Sequence, residues 1–372
     1  MLVKFAVKNY RGFADRIELD LSRPNNYEYN TFAISNGVVK NGIIYGPNGA
    51  GKSNLGLAIF DIEYHLAPLK AKKPGYYDNY EYGNSGSLVE FEYIFNFSGQ
   101  IVENRYSKDR YNVLHKEMLA VDGETVFSKQ GTVFEIKTSY FSNEDAIKDN
   151  LKNNANNVSV VNFLLAFYPL PENHFLLRLQ DFVNRMLWIR YVEGREFIGI
   201  ETQPNGNIEE YIIKNGLVDD FSSFLMRVSE QKFEFIEPEP TDKALFYQVN
   251  GNRLSFVETI SSGTRSLELL YFWMKRMGDP SFVFIDEFDA FYHFRMSFNV
   301  CKELFSLSCQ LFMSSHNTYL MTNELLRPDC NFIINGNKIK SLSECTDKEL
   351  RFGHNIEKLY RGKAFEYDSI CF

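Results

Sequence analysis

Eight consecutive residues, Gly46-Pro47-Asn48-Gly49-Ala50-Gly51-Lys52-Ser53, follow the order G-x-x-x-x-G-K-S. Backbone N–H groups that curl around a phosphate need glycines at dihedrals other residues resist, and a helix that starts there adds the partial positive charge of its N-terminus. In that frame Lys52 reaches the β- and γ-phosphate oxygens of a nucleotide, and the Ser53 hydroxyl ligates Mg²⁺. An ordinary Gly-rich turn is the bland alternative. The fixed positions arise by chance in roughly one chain in a hundred of this length, and less often between a strand and a helix.

Three further clusters follow in order. Phe282-Val283-Phe284-Ile285-Asp286-Glu287 is an apolar run closed by two acids. Such a strand sets both carboxylates at the carboxyl edge of a sheet, where ligands of open α/β sheets bind. Asp286 would hold Mg²⁺, and Glu287 would orient and deprotonate an attacking water. Strands also end in acids merely because they reach the surface, so this pair gains its meaning from the phosphate loop. Ser261-Ser262-Gly263-Thr264-Arg265 opens a helical pattern and offers a second phosphate-binding surface, with a plain N-cap as the alternative. His316 follows the apolar run Leu311-Phe312-Met313 through Ser314-Ser315, where an imidazole can reach a γ-phosphate.

These residues need elements to position them. Val3, Phe5, Val7 and then Ile17, Leu19, Leu21 alternate as two short strands. Ile43-Ile44-Tyr45 is a strand running into the glycine loop, and Leu55, Ala58, Ile59, Ile62 and Leu66 recur at helical spacing beyond it. Residues 67–87 read as a loop. Val89, Phe91, Tyr93, Phe95 and Phe97 alternate strongly, with hairpin turns expected at Ser98-Gly99 and Asp122-Gly123. Residues 142–195 read as a helical insertion: an Asn- and Lys-rich stretch, a short helix over 158–167, and a stripe at Leu176, Leu179, Val183, Met186 and Leu187. Strand-like pieces return at 196–200 and 244–256, the latter turning at Asn250-Gly251. After Gly263, helices alternate with strands at 282–285, 311–313 and 332–334, which argues for a mostly parallel sheet covered by helices. The expected fold is α/β, with an antiparallel β subdomain and a helical insertion. The units are a first lobe (1–141), the insertion (142–195) and a second lobe (196–372).

Composition bounds the function. The chain has 372 residues, 44% of them hydrophobic, including 34 Phe and 22 Tyr, which is ample for a large core and excludes a disordered chain. A net charge of −8 excludes a protein that coats nucleic acid through bulk positive charge, though not one with a local basic groove. No run approaches the length of a membrane helix, and the lysine-bearing opening does not read as a signal peptide. The five cysteines, Cys301, Cys309, Cys330, Cys345 and Cys371, form no C-x-x-C pair and read as reduced packing thiols of a cytoplasmic protein.

Phosphate loop, small-residue signature, strand plus Asp-Glu, and strand plus His stand in the order of ABC-type ATPases. The chain resembles the group of these P-loop NTPases that includes the SMC and RecF proteins, and most of all the smaller OLD-type, AbiL- and RloA-like abortive-infection ATPases of phage defence. Asn9-Tyr10-Arg11-Gly12-Phe13 resembles their N-F-R-x-F opening, Ser262-Gly263-Thr264-Arg265 their S-S-G-T-[KR] signature, and Asp286-Glu287-Phe288-Asp289 with His293 their D-E-F-D-x-x-x-H. Asn355-Ile356-Glu357-Lys358-Leu359-Tyr360 with Gly362 and Phe365 resembles their closing segment.

The resemblance implies an ABC-ATPase head that dimerises, or forms a higher even-numbered oligomer, around ATP and Mg²⁺. Arg11, residues 46–53, Asp286 and His316 of one chain would grip each ATP, and Ser262, Gly263 and Thr264 of the other chain would close it. Lys52, Glu287 and His316 would be catalytic. It also implies a nucleotide switch in anti-phage defence that controls a separately encoded toxin or nuclease. The signature departs from the transporter form L-S-G-G-Q, residues 68–90 hold no Gln for a glutamine loop, and no toprim nuclease domain is expected after the ATPase. The alternatives are a RecF-like repair ATPase that binds DNA, favoured by a salt-dependent affinity for DNA, and a nucleotide-binding scaffold with little turnover. His65, His115, His174 and His354 lack metal-ligand spacing, and Lys70, Lys72, Lys73 with Tyr76, Tyr77 and Tyr80 read as a solvated loop before a nucleic-acid contact.

Overall fold

The structure is a computed structural model that describes residues 1–66, 81–82, 86–137, 140–141, 147, 149, 159–190, 196–199, 207–239 and 241–365. The Lys- and Tyr-rich stretch over 70–80, most of 142–158 and Cys371 lie outside the described residues. In chain order the strands are β1 (Leu2–Lys8), β2 (Ile17–Asp20), β3 (Ile34–Ser35), β4 (Val38–Val39), β5 (Asn41–Tyr45), β6 (Val89–Phe97), β7 (Gln100–Lys108), β8 (Leu114–Val121), β9 (Glu124–Gln130), β10 (Val133–Ile136), β11 (Met186–Arg190), β12 (Glu196–Gly199), β13 (Phe246–Val249), β14 (Asn252–Ser255), β15 (Phe282–Asp286), β16 (Gln310–Ser315), β17 (Asn331–Asn335) and β18 (Lys338–Ser341).

One seven-stranded sheet is antiparallel, in the order β10-β9-β8-β7-β6-β1-β2. Its hairpin turns at Ser98-Gly99 and Asp122-Gly123 hold both central residues at positive φ, as two-residue turns between twisted strands require. The second sheet runs β12-β11-β15-β16-β5-β17-β18. Its five inner strands are parallel neighbours, with β12 and β18 antiparallel at the edges. Every residue of β5, β15 and β16 is buried, as parallel strands covered on both faces must be. The mixed α/β architecture read from the alternating pattern is the one observed.

Two sets of contacts lock the sheets around the glycine loop. The helical stripe that begins after the loop splits at Phe60 into helices Lys52–Ile59 and Asp61–Leu66. The first packs on β15: a Cβ on Gly56 would lie 2.6 Å from the Phe284 ring. The inner face of the antiparallel sheet covers the same helix pair. Tyr93 donates to the Ala58 carbonyl at 2.9 Å, and Tyr106 and Lys108 reach Asp61 at 2.7 and 2.9 Å, all buried. Gln310, at the start of β16, bonds Leu2 N–H, the Leu2 carbonyl and the Val39 carbonyl at 2.9, 2.8 and 3.0 Å, so one buried amide ties β1 to the parallel sheet.

The 176–187 stripe is not one helix. Helix Phe175–Asn184 ends, and Met186–Arg190 becomes β11, inserted into the central sheet beside β15. The segment expected as a helical insertion therefore supplies a core strand. Met186 and Leu187 fit a helical period by coincidence, whereas five consecutive residues of mostly apolar character are what a strand flanked on both sides needs. Helices Ile208–Lys214 and Val218–Ser229, which the spacing did not announce, pack against helix Ser262–Arg276. Among the described residues no helix is long and apolar enough to cross a membrane, and Cys301, Cys309, Cys330 and Cys345 are buried and free.

Gly56→Ala should push the glycine-loop helix off the Phe284 ring and cost about 1–3 kcal/mol, read from urea unfolding. A second expectation concerns acid. His65 Nε2 donates to Glu117 Oε1 at 3.0 Å, and Ser159 and the Val160 N–H donate to the same carboxylate. Burial holds His65 below its ordinary value of 6.5. Burial alone would raise Glu117, but these hydrogen bonds outweigh it and hold the carboxyl below 4.5. Both shifts mean that the unfolded chain binds more protons, so stability should fall as pH drops below about 6.5 and again below about 4.5. His65→Gln, which keeps an N–H donor without titrating, should lose less stability between pH 7.5 and 5.5.

Candidate nucleotide site

The site is built at the carboxyl ends of adjacent parallel strands. β5 ends at Tyr45 and leads into the glycine loop, β15 ends at Asp286, and β16 ends at Ser315. Gly46 can have no side chain, because a Cβ there would lie 2.6 Å from the Ile334 carbonyl oxygen. Gly51 has φ +101° and faces the Phe13 ring, where a Cβ would lie 2.6 Å away. Phe13 closes the turn that carries Arg11, so the 9–13 segment is packed directly on the loop. Gly12 lies in the same turn and meets Asn54, with its Cβ position 3.4 Å from the amide.

Lys52 starts the helix and is almost wholly buried. Its Nζ lies 2.8 Å from the Gly46 carbonyl, 3.1 Å from that of Pro47 and 3.1 Å from His316 Nδ1. Three acceptors match the three protons of an ammonium. His316 Nδ1 also lies 3.2 Å from the Gly46 carbonyl, and its Nε2 is 3.9 Å from Glu287 Oε1. Burial lowers the Lys52 pKa, while Glu287, Asp286 and Asp289 oppose that shift.

Asp286 has no solvent exposure. Burial raises its pKa, and the Ser314 hydroxyl, the nearby Ser53 hydroxyl and the charge of Arg190 pull it back. Ser314 Oγ donates to Asp286 Oδ1 at 2.6 Å and accepts the Glu287 N–H at 2.8 Å. That second bond holds Glu287 at φ 49°, a left-handed conformation that costs a non-glycine residue about 1–2 kcal/mol. Ser315 repeats the arrangement one residue on, donating to Asp289 Oδ2 at 2.7 Å and accepting the Asn317 N–H at 2.8 Å. The two serines thus clamp the acidic turn to the segment that carries His316. Burial raises the Asp289 pKa as well, against the Ser315 bond.

Asp286 Oδ2 is buried without a hydrogen-bond partner, although Oδ1 is satisfied. An orphaned carboxylate oxygen beside a serine hydroxyl is a donor set that fits Mg²⁺, with phosphate oxygens and water completing the octahedron.

The signature lies elsewhere. Ser261 caps helix Ser262–Arg276, accepting the Thr264 N–H at 3.1 Å. Thr264 is buried and its hydroxyl turns back to Ser261 at 3.0 Å, whereas Ser261, Ser262 and Arg265 are exposed. Gly263 lies against the Phe291 carbonyl, 3.0 Å from its Cβ position, and Ser266 meets the Tyr292 hydroxyl at 2.9 Å. The signature therefore abuts the segment that follows the acidic pair. His293 caps helix Phe294–Phe305, and Asn355 caps helix Ile356–Arg361.

Lys52, Ser53, Asp286, Glu287 and His316 are thus brought to one sheet edge, with Arg11 beside it and residues 262–264 apart. Motif reading gave no role to Ser314, Ser315 or Arg190. The serines were visible as two small polar residues between an apolar strand and a histidine. Arg190 was visible as a charge ending an apolar run, once that run is read as a strand.

The SMC head domain from Thermotoga maritima is 16% identical, with 92% of this chain and 99% of that one covered and a TM-score of 0.44. An Smc head bound to the C-terminal winged-helix domain of ScpA is 15% identical, with 92% and 98% covered and a TM-score of 0.47. The Pyrococcus furiosus Smc head with an extended coiled coil, bound to the C-terminal domain of ScpA, is 14% identical, with 92% and 97% covered and a TM-score of 0.45. No curated protein matches the chain. The family match covers residues 43–322, about three quarters of the length and the whole span from the glycine loop to His316. The chain belongs to the family described as "AAA domain, putative AbiEii toxin, Type IV TA system".

Proposed function

We propose that the chain binds ATP at residues 46–53 and hydrolyses it to ADP and phosphate. The observation that supports this best is the convergence of a buried ammonium, a serine hydroxyl, a half-unpartnered buried carboxylate and a second acid on one sheet edge. Family membership supports the same reading. Loop N–H groups receive the phosphates, and Lys52 exchanges its carbonyl and imidazole acceptors for β- and γ-phosphate oxygens. That exchange frees His316 to turn to the γ-phosphate. Glu287 orients a water and takes its proton as the new P–O bond forms and the bond to ADP breaks. Ser53 and Asp286 are the residues that would hold Mg²⁺, whose charge offsets that developing on the phosphates. Arg11 stands on the turn whose Phe13 ring packs on Gly51, which supports a part for it in phosphate binding.

The finer reading is a switch. Two chains close around ATP, with Ser262 and Gly263 of each facing the nucleotide of the other, and hydrolysis reopens them. The buried Thr264 would contribute through its backbone. The family's description points to a toxin–antitoxin setting, so the closed and open states would hold and release a separately encoded toxin or nuclease in phage defence. A host carrying Lys52→Ala or Glu287→Gln should lose a defence phenotype that the intact chain confers, and an unchanged phenotype would overturn the switch.

Lys52→Ala should weaken ATP binding by about a hundredfold or more, measured by calorimetry, because a buried charge-assisted set of bonds is lost. Glu287→Gln should keep ATP affinity within a few-fold and lower the turnover number by about 10²–10⁴-fold. Equal binding in Lys52→Ala, or unchanged turnover in Glu287→Gln, would contradict the assignment. Ser314→Ala leaves Asp286 and the Glu287 N–H each short of a partner. It should cost about 1–3 kcal/mol in urea unfolding and lower turnover more than ATP affinity.

A further inference from the structure

Arg190 ends β11 and is the register partner of Asp286 on β15. Its Nε lies 3.7 Å from Asp286 Oδ2, beyond hydrogen-bond reach. Both atoms are fully buried and neither has a hydrogen-bond partner. The Asp286 side chain is fully buried while 24% of the Arg190 side chain stays exposed, and an ion pair left at this gap with Oδ2 and Nε unpartnered is a loose arrangement for a purely structural pair. Asp286 Oδ1 shows what satisfaction looks like here, since Ser314 donates to it at 2.6 Å. The unsatisfied pair sits where the carboxyl ends of β11 and β15 meet, on the edge that carries the glycine loop and Ser53. A guanidinium is suited to such a place because it stays charged and presents a planar fork that fits phosphate oxygens as well as a carboxylate.

We propose that Arg190 is a positioning residue that acts through Asp286: it is the counter-charge of that carboxylate in the metal-free protein and competes with a divalent cation for it. The metal takes Asp286 fully only when a nucleotide is present, because the phosphates then receive the guanidinium. Arg190 thereby couples metal uptake to nucleotide binding. This rests on the nucleotide reading of the site, but its first test needs no nucleotide.

Mn²⁺ binding to the full-length chain, followed by electron paramagnetic resonance without nucleotide, compares the intact protein with Arg190→Gln and Arg190→Lys. Removing a competing charge about 4 Å from the carboxylate should tighten Mn²⁺ binding about tenfold in Arg190→Gln. Arg190→Lys, which keeps the charge, should stay within about twofold of the intact protein. If Arg190→Gln does not fold, Arg190→Met retains the unbranched stem and carries the same expectation. In EDTA, ATP affinity should fall about tenfold in Arg190→Gln, since a phosphate partner is lost. A merely structural arginine would lower the melting temperature of the variants and leave Mn²⁺ affinity unchanged. That result, or weaker Mn²⁺ binding in Arg190→Gln, overturns the proposal. Should the intact protein bind no ATP, or bind it equally after Lys52→Ala, the nucleotide reading fails on its own while the Mn²⁺ comparison still decides the competition at Asp286.

Discussion

A carboxylate with no exposure to solvent stands at the carboxyl end of β15, and the surrounding groups answer the cost of keeping it there. Burial of an unpaired charge is among the largest penalties a fold can carry. Ser314 satisfies one oxygen, Ser53 approaches from the glycine loop, and Arg190 faces the other oxygen from the neighbouring strand. These partners come from three different strands or their loops. Asp286 can therefore remain at this depth only while β11, β15, β16 and β5 keep their parallel register. The same register delivers Lys52, Glu287 and His316 to one edge.

The antiparallel sheet serves that register from outside. Tyr93, Tyr106 and Lys108 fasten the helix pair after the glycine loop, and Gln310 ties the first strand to the start of β16. The first strand leads into the turn whose Phe13 ring lies over Gly51. The loop is thereby held from below by Ile334, from the side by Phe13 and from within by Lys52, which ties its own carbonyls together. A phosphate that takes over those lysine bonds would loosen the contact between Lys52 and His316, and through Ser315 and Asp289 the acidic turn as well. The 286–293 segment in turn abuts the signature at Phe291 and Tyr292, so contacts run without a break from Lys52 to helix Ser262–Arg276.

What the sequence disclosed followed from local necessity. The glycine loop needs its glycines, lysine and serine within eight residues, and β6 announces itself through five aromatic or branched residues at period two. The fold class followed from helices alternating with apolar runs. What stayed hidden depends on distant partners. Arg190 gains its meaning only from Asp286, nearly a hundred residues on, and Met186–Arg190 is a strand because of its neighbours, although its first residues extend a helical stripe. Ser314 and Ser315 look like linker residues until the structure shows each of them holding an acid of the preceding strand's turn. Thr264 matched a motif by type, yet its side chain turns inward because it completes the cap of its own helix.

On the proposed function, one ATP occupies the loop built around Lys52 and draws two chains together. Native mass spectrometry of the Glu287→Gln chain, purified with Mg²⁺ and ATP, tests it most directly. Masses with an even number of chains and one ATP per chain are expected. A single chain without nucleotide under the same conditions would contradict it.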